Sequence, residues 1–263
     1  MAIQVWDGTK YVGAELGRFG TNGTLKEALV WDGTQYVKVW SAAPVAPDLP
    51  VVTITGTSGY TSRDQFRAAC AQHGVNYQTV QELPFLLDTS QATNLDSMFA
   101  GCASLTTVPD LDTSQATNLT RMFAGCMSLT TVPDLETSQA TDLSDMFAGC
   151  ASLTTVPDLD TSQATNLSYM FYGCSSLTTV PDLDTIQATD LPGMFYGCSS
   201  LTTVPDLETS QATDLSDMFA DCSALTDGNV RCIGRHPYAD TFGMITGSGL
   251  TREPFYDTNG NPI

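Results

Sequence analysis

At 263 residues, with 42% hydrophobic content and a formal net charge of −19, the chain is long enough to bury a core and too apolar to be a disordered acidic tail. Residues 87–230 hold 19 acidic residues and a single basic one, Arg121. A surface of that charge repels phosphates, which excludes nucleic acid as a partner, and no apolar run reaches the roughly 18 residues of a membrane span, which excludes membrane insertion.

The first predicted elements lie in residues 1–40. Trp6-Asp7-Gly8-Thr9 recurs 25 residues later as Trp31-Asp32-Gly33-Thr34. An Asp-Gly pair between β-forming runs is a hairpin signal, because both central residues of a type I′ turn need positive φ. Two small hairpins are therefore expected. So short a segment cannot build a core of its own, so Trp6, Asp7, Gly8, Trp31, Asp32, Gly33 and Trp40 are expected to dock on a partner surface. The start, Met1-Ala2-Ile3-Gln4, has no basic stretch leading into an apolar run, so no secretory signal is expected. Duplicated elements of this kind resemble the N-terminal segments of minor tail and tail-fibre proteins in bacteriophages of actinobacteria. That resemblance implies a virion (tail) component assembled in the host cytoplasm, its arm docked on other tail proteins.

Residues 41–50, with Pro44, Pro47 and Pro50, read as a stiff linker. Residues 51–86 read as an N-terminal cap. Ser62-Arg63-Asp64-Gln65 has the spacing of a capping box, and Phe66 to His73 then reads as an amphipathic helix stopped by Gly74.

From 87 to 230 the chain repeats. Met98, Met122, Met146, Met170, Met194 and Met218 stand 24 apart, as do Cys102, Cys126, Cys150, Cys174, Cys198 and Cys222. A fixed period over six copies is the signature of stacked supersecondary units. The expected fold class is an α/β repeat, a leucine-rich-repeat-like solenoid of six 24-residue coils. Each coil is assigned a short helix over the equivalent of Leu95–Ala100 and a short strand over Leu105–Val108. Leu95, Met98, Phe99, Cys102, Leu105, Val108 and Leu111 then form core columns that no single coil can bury alone. Past Leu225 the pattern fails, and residues 231–263 read as a C-terminal cap.

The wording Met98-Phe99, Gly101-Cys102, Ser104-Leu105-Thr106 and Asp112-Thr113-Ser114, repeated down the chain, resembles BspA-like leucine-rich-repeat surface proteins and the related repeats of mycoplasma and lactic-bacterial surface proteins. The resemblance implies adhesion or binding, with no catalysis, and places the protein on a bacterial cell surface as the alternative to the virion.

Candidate sites are few. Side chains of one column run parallel, so the Cys column reads as buried reduced thiols. With no C-x-x-C pair or Cys/His cluster, no zinc is expected. Asp110, Asp134, Asp158, Asp182 and Asp206 form one acidic column, and Asp112, Glu136, Asp160, Asp184 and Glu208 another. No cofactor is expected, calcium on these ladders being the one cation considered. His73 and His236 stand beside no nucleophile motif, so the chain is read as no enzyme. Variation among copies concentrates before each Met and after each Phe, which singles out Arg121, Tyr169, Tyr172 and Tyr196 as a recognition surface for a host-cell glycan or protein. Such a protein is also expected to form homo-oligomers.

Overall fold

A computed structural model of the protein describes residues 3–6, 11–16, 27–31, 36–41 and 49–263. The chain divides into two compact units, Met1–Leu49 and Pro50–Ile263.

In the first unit, β1 (Ile3–Trp6) pairs antiparallel with β2 (Tyr11–Leu16), and β3 (Glu27–Trp31) with β4 (Tyr36–Ser41). The registers Trp6↔Tyr11 and Trp31↔Tyr36 close each pair around an Asp-Gly sequence. Strands β2 and β3 also pair, through Ala14↔Val30, so the two expected hairpins are joined in one four-stranded meander. A register shift interrupts β3 and β4 between Ala28 and Leu29. Most of the expected linker, 42–48, lies outside the described residues.

The second unit opens with β5 (Val51–Thr53), which pairs in parallel with β6 (Leu86–Asp88). Between them stands α1 (Thr61–Gln72), which is the only helix among the described residues. It starts earlier than the expected Phe66, and the capping box does not form. Ser62 sits inside the first turn with its hydroxyl buried and unpartnered, whereas Gln65 Oε1 accepts the Thr55 N–H at 3.0 Å. Gln65 therefore ties the helix to the incoming strand. Phe66 is fully buried and meets Phe99 edge-on at 4.8 Å, so α1 seals the first coil. Gly74, at φ 72°, supplies the stop.

The coils themselves contain no α-helix, which corrects the expectation over Leu95–Ala100 and its copies. Successive β-turns take its place. Met98 N–H bonds Leu95 O, Ala100 N–H bonds Ser97 O, and Cys102 N–H bonds Phe99 O. The intervening N–H groups of Leu95, Ser97, Phe99 and Gly101 donate to Asn118, Thr120, Met122 and Ala124 O of the next coil, at 2.8–2.9 Å. Ser97 and Gly101 have φ of 58° and 79°, the third-residue signature of type II turns. The physical reason is spacing. Successive phenylalanine rings are 5.5–5.7 Å apart, whereas packed helices need about 8–10 Å between axes. A flat ladder of turns fits that stack and a helix does not.

The strand expected over Leu105–Val108 is also absent; single backbone links stand there instead, the N–H groups of Thr130, Thr154 and Thr202 donating to Thr106, Thr130 and Thr178 O of the coil before. Parallel bridges fall instead at Asn94↔Asn118↔Asp142↔Asn166↔Asp190↔Asp214↔Asp240. In most coils the side chain of this column accepts the backbone N–H two residues on, as from Asn94 Oδ1 to Asp96 N–H at 2.9 Å.

The expected core columns are buried apart from Val108 and three of its copies, which are partly buried. Two more columns complete the core. Ala92 and its five copies are fully buried, as are Thr89, Thr113, Thr137, Thr161, Thr185 and Thr209. The threonine hydroxyls donate to main-chain carbonyls of the next coil, Thr137 to Asp160 O at 2.9 Å among them, which is how a polar group is accommodated there.

Residues 231–263, expected as a cap, hold a further coil. Strands β7 (Leu207–Glu208), β8 (Cys232–Ile233) and β9 (Phe255–Tyr256) run parallel. The turn ladder also continues, with Leu215, Asp217, Phe219 and Asp221 N–H donating to Asp240, Phe242, Met244 and Thr246 O. Tyr256 then bridges Pro262 in the antiparallel sense.

Candidate functional site

The position before each Met is left-handed in every coil. Its occupants are Ser97, Arg121, Asp145, Tyr169, Gly193 and Asp217, with φ between 55° and 58°. The position after the aromatic or alanine column holds glycine in five coils and Asp221, at φ 59°, in the sixth. Arg121 and Tyr169 of these columns are exposed, whereas Ser97 is buried against Asp96 of its own coil. Tyr169, Asp217 and Asp221 each lie against the glycine of the same column in the following coil, Gly193, Gly243 and Gly247.

Arg121 reaches Asp145 Oδ2 at 3.3 Å. Burial pushes the Asp145 carboxyl up, and the guanidinium beside it pulls partly the other way. Arg121 is thus paired within the solenoid and lies two coils away from the tyrosines with which it was grouped.

The three tyrosines do meet. Tyr169 and Tyr172 contact edge to face at 6.0 Å, and Tyr172 stacks on Tyr196 at 5.1 Å with 24° between the rings. Tyr169 and Tyr172 remain 39% and 42% exposed. The hydrogen bond and negative charge of Asp221 push the Tyr196 phenol up, and Asp217 adds to the effect. A face of three aromatic rings and two carboxylates therefore spans coils four to six. Asp217 stood in the varying column without being grouped with the tyrosines, and Asp221 was missed in the sequence, although its standing where five coils have glycine was a readable signal.

On the strand side, the second acidic column is locally tied. Asp112 Oδ1 accepts the Ser114 N–H at 3.1 Å and its hydroxyl at 2.7 Å, and Asp160 does the same with Ser162. These bonds pull both carboxyls below their ordinary range. Asp134, Glu136, Asp158 and Asp160 line a groove of about 470 Å³. Among the described residues, no group of three or more His, Cys, Asp or Glu side chains is placed to hold a metal ion.

All eight cysteines are unbonded and buried. In the column, Cys126, Cys150, Cys174, Cys198 and Cys222 donate to Phe99, Phe123, Phe147, Phe171 and Phe195 O at 2.9–3.2 Å. His73 packs on Phe85 at 5.0 Å and His236 contacts Tyr238 at 5.9 Å. Of the expected docking residues, Trp6 and Trp31 end β1 and β3 and Trp40 lies in β4. Asp7, Gly8, Asp32 and Gly33 lie outside the described residues.

A family model described as "Mycoplasma protein of unknown function, DUF285" matches residues 75–182 and 128–231, together more than half of the chain. A solved leucine-rich repeat protein from Eubacterium ventriosum is similar at 21% identity, over 68% of this chain and 48% of its own length, with a TM-score of 0.47. The chain thus spans about half the length of that protein. No curated protein matches.

Proposed function

Because this chain belongs to the family described as "Mycoplasma protein of unknown function, DUF285", whose description assigns no activity, we propose from its own surface that it is a non-catalytic, surface-displayed binding module. The solenoid is the contact element and residues 1–40 the attachment element. One observation carries the reading: three of the side chains that vary from coil to coil, Tyr169, Tyr172 and Tyr196, meet on one partly exposed face. Buried columns stay uniform because each must match its neighbours, so outward variation that gathers aromatic rings is the mark of a contact surface.

The minor tail expectation draws no support from the comparisons, which concern repeats only. The proposed contact does not depend on it. Attachment through the arm is tested by deleting residues 1–40 and asking whether the truncated chain still joins the particle or cell envelope that carries the full one.

For the contact itself, labelled full chain and its Tyr172→Ser/Tyr196→Ser variant would be incubated with a panel of intact bacterial and animal cells. Retention of the parent on at least one cell type, lost in the variant, supports the reading. Equal retention of both, or of neither, overturns it.

A further inference from the structure

The contact face also has a sign. Between Arg121 and Arg231 the chain has no lysine or arginine, so coils three to six supply no cation of their own. Elsewhere in this protein, arginines sit over aromatic rings. Arg63 lies 4.0 Å from the Tyr60 ring centre and Arg67 4.3 Å from that of Tyr77. Arg231 shows the fuller arrangement. Its guanidinium reaches Asp206 Oδ2 at 3.0 Å while standing 5.3 Å from the ring centre of Tyr256. A planar cation is held between a carboxylate and a tyrosine face, the two groups that attract it by charge and by the ring quadrupole.

Tyr172 and Tyr196 stack at 5.1 Å, and the turn ladder sets Asp217 and Asp221 in the coil that follows, Gly193 N–H donating to Ser216 O and Gly197 N–H to Ala220 O at 2.8 Å. The second of these bonds lays Asp221 alongside Tyr196, and neither aspartate has a cationic partner among the described residues. The partly exposed Tyr172 ring lies against that of Tyr196, and the whole surface around them is negative.

We propose that this face, Tyr172 and Tyr196 with Asp217 and Asp221, takes an arginine side chain from a basic segment of a partner protein. The inference rests on the contact reading given above and names its partner. Charge complementarity selects a cation, and the stacked tyrosine rings favour a flat guanidinium over a compact ammonium. The remaining acidity of the solenoid speeds the approach of such a segment and makes it salt-sensitive.

The test uses the full chain and a short peptide holding two arginines among uncharged residues, with its citrulline counterpart, which keeps the shape and removes the charge. Binding is followed by calorimetry. The arginine peptide is expected to bind about tenfold more tightly than the citrulline one. Asp221→Gly should lose most of that preference. This variant installs the residue that five other coils carry at the same left-handed position, so loss of binding would not reflect loss of fold. Asp134→Asn/Asp158→Asn, which removes as much or more charge from the strand-side groove, should keep it.

Equal binding of the arginine and citrulline peptides, or an equal loss in Asp221→Gly and the groove variant, overturns the inference. So does tighter binding of a glucosamine oligomer than of the arginine peptide. If cell retention depends on Tyr172 and Tyr196 but the arginine peptide fails to compete for it, the contact face stands and its partner class falls. If retention ignores both tyrosines, the contact reading itself falls.

Discussion

The ring of Tyr169 lies over the α-carbon of Gly193 in the next coil, so closely that a methyl group on Gly193 would overlap the ring's Cε1. Gly193 is the only glycine in its column of six coils, and the tyrosine above it is what requires one. Gly193→Ala is expected to destabilise the fold by about 1–2 kcal/mol, from the left-handed Cβ and the displaced ring together. In a Tyr169→Ser background only the backbone part should remain. A double-mutant cycle in urea reads the difference, and strict additivity would contradict the contact.

Strain in the other direction is also testable. Asp145 has φ 55° and a carboxyl whose ordinary ionisation is opposed by burial. Asp145→Gly is expected to stabilise by about 0.5–1 kcal/mol, since glycine takes this φ without strain and the partly exposed pairing with Arg121 contributes little. Gly125→Ala, at φ 74°, should cost about 1–2 kcal/mol. Denaturation midpoints of the two variants should move in opposite directions.

The phenylalanine ladder is the continuous part of the core. Phe147 is fully buried and stacks on Phe123 and Phe171 at 5.6 Å on either side. Phe147→Ala is expected to cost about 3–5 kcal/mol. In a stack where each coil touches only its neighbours, a loss of that size in the middle should also broaden the unfolding transition. A transition as sharp as the parent's would argue against coil-by-coil coupling.

The buried threonines carry a smaller, chemically specific cost. Thr137→Val keeps the shape but leaves Asp160 O without its hydroxyl donor, for an expected loss of about 1–2 kcal/mol. Thr137→Ser keeps the donor and should recover part of it. Urea denaturation of the pair separates hydrogen bonding from packing.

Alkaline pH should unfold the protein. Burial pushes the thiols of Cys70, Cys150 and Cys222 up to about 12, whereas an unfolded cysteine ionises near about 8.5. The native state therefore holds these protons after the unfolded chain has released them. Stability is full below about pH 8.5 and falls from there toward about 12, by up to about 1.4 kcal/mol per pH unit for each thiol. Denaturation under reducing conditions across that window checks it. The ultraviolet signal of thiolate should appear with unfolding and not before.

Much of this architecture was readable because the repeat is so regular. Six methionines and six cysteines at one interval identified the stack, and Leu95, Met98, Phe99 and Cys102 identified the side of each coil that is buried. The seventh coil was not readable. Asp240 pairs with Asp214 at a spacing of 26 residues, and Gly243 and Gly247 replace the aspartates above them, so neither period nor wording persists. Backbone hydrogen bonding, which ignores side-chain identity, carries the stack past the point where the sequence stops repeating.

The helix expected at Leu95–Ala100 failed for a related reason. Capping residues and apolar spacing describe one segment taken alone. In the stack, every second N–H of that segment finds an acceptor in the adjacent coil.

By itself, then, the sequence determined the period, the buried columns and the negative face, because each follows from residue chemistry repeated at a fixed interval. Only the tertiary structure decided the rest: turns in place of helices, because the coils stack more closely than helices can pack, and a face joining Tyr172, Tyr196 and Asp221, because residues about a coil's length apart in the chain become neighbours only once the coils are laid one on another.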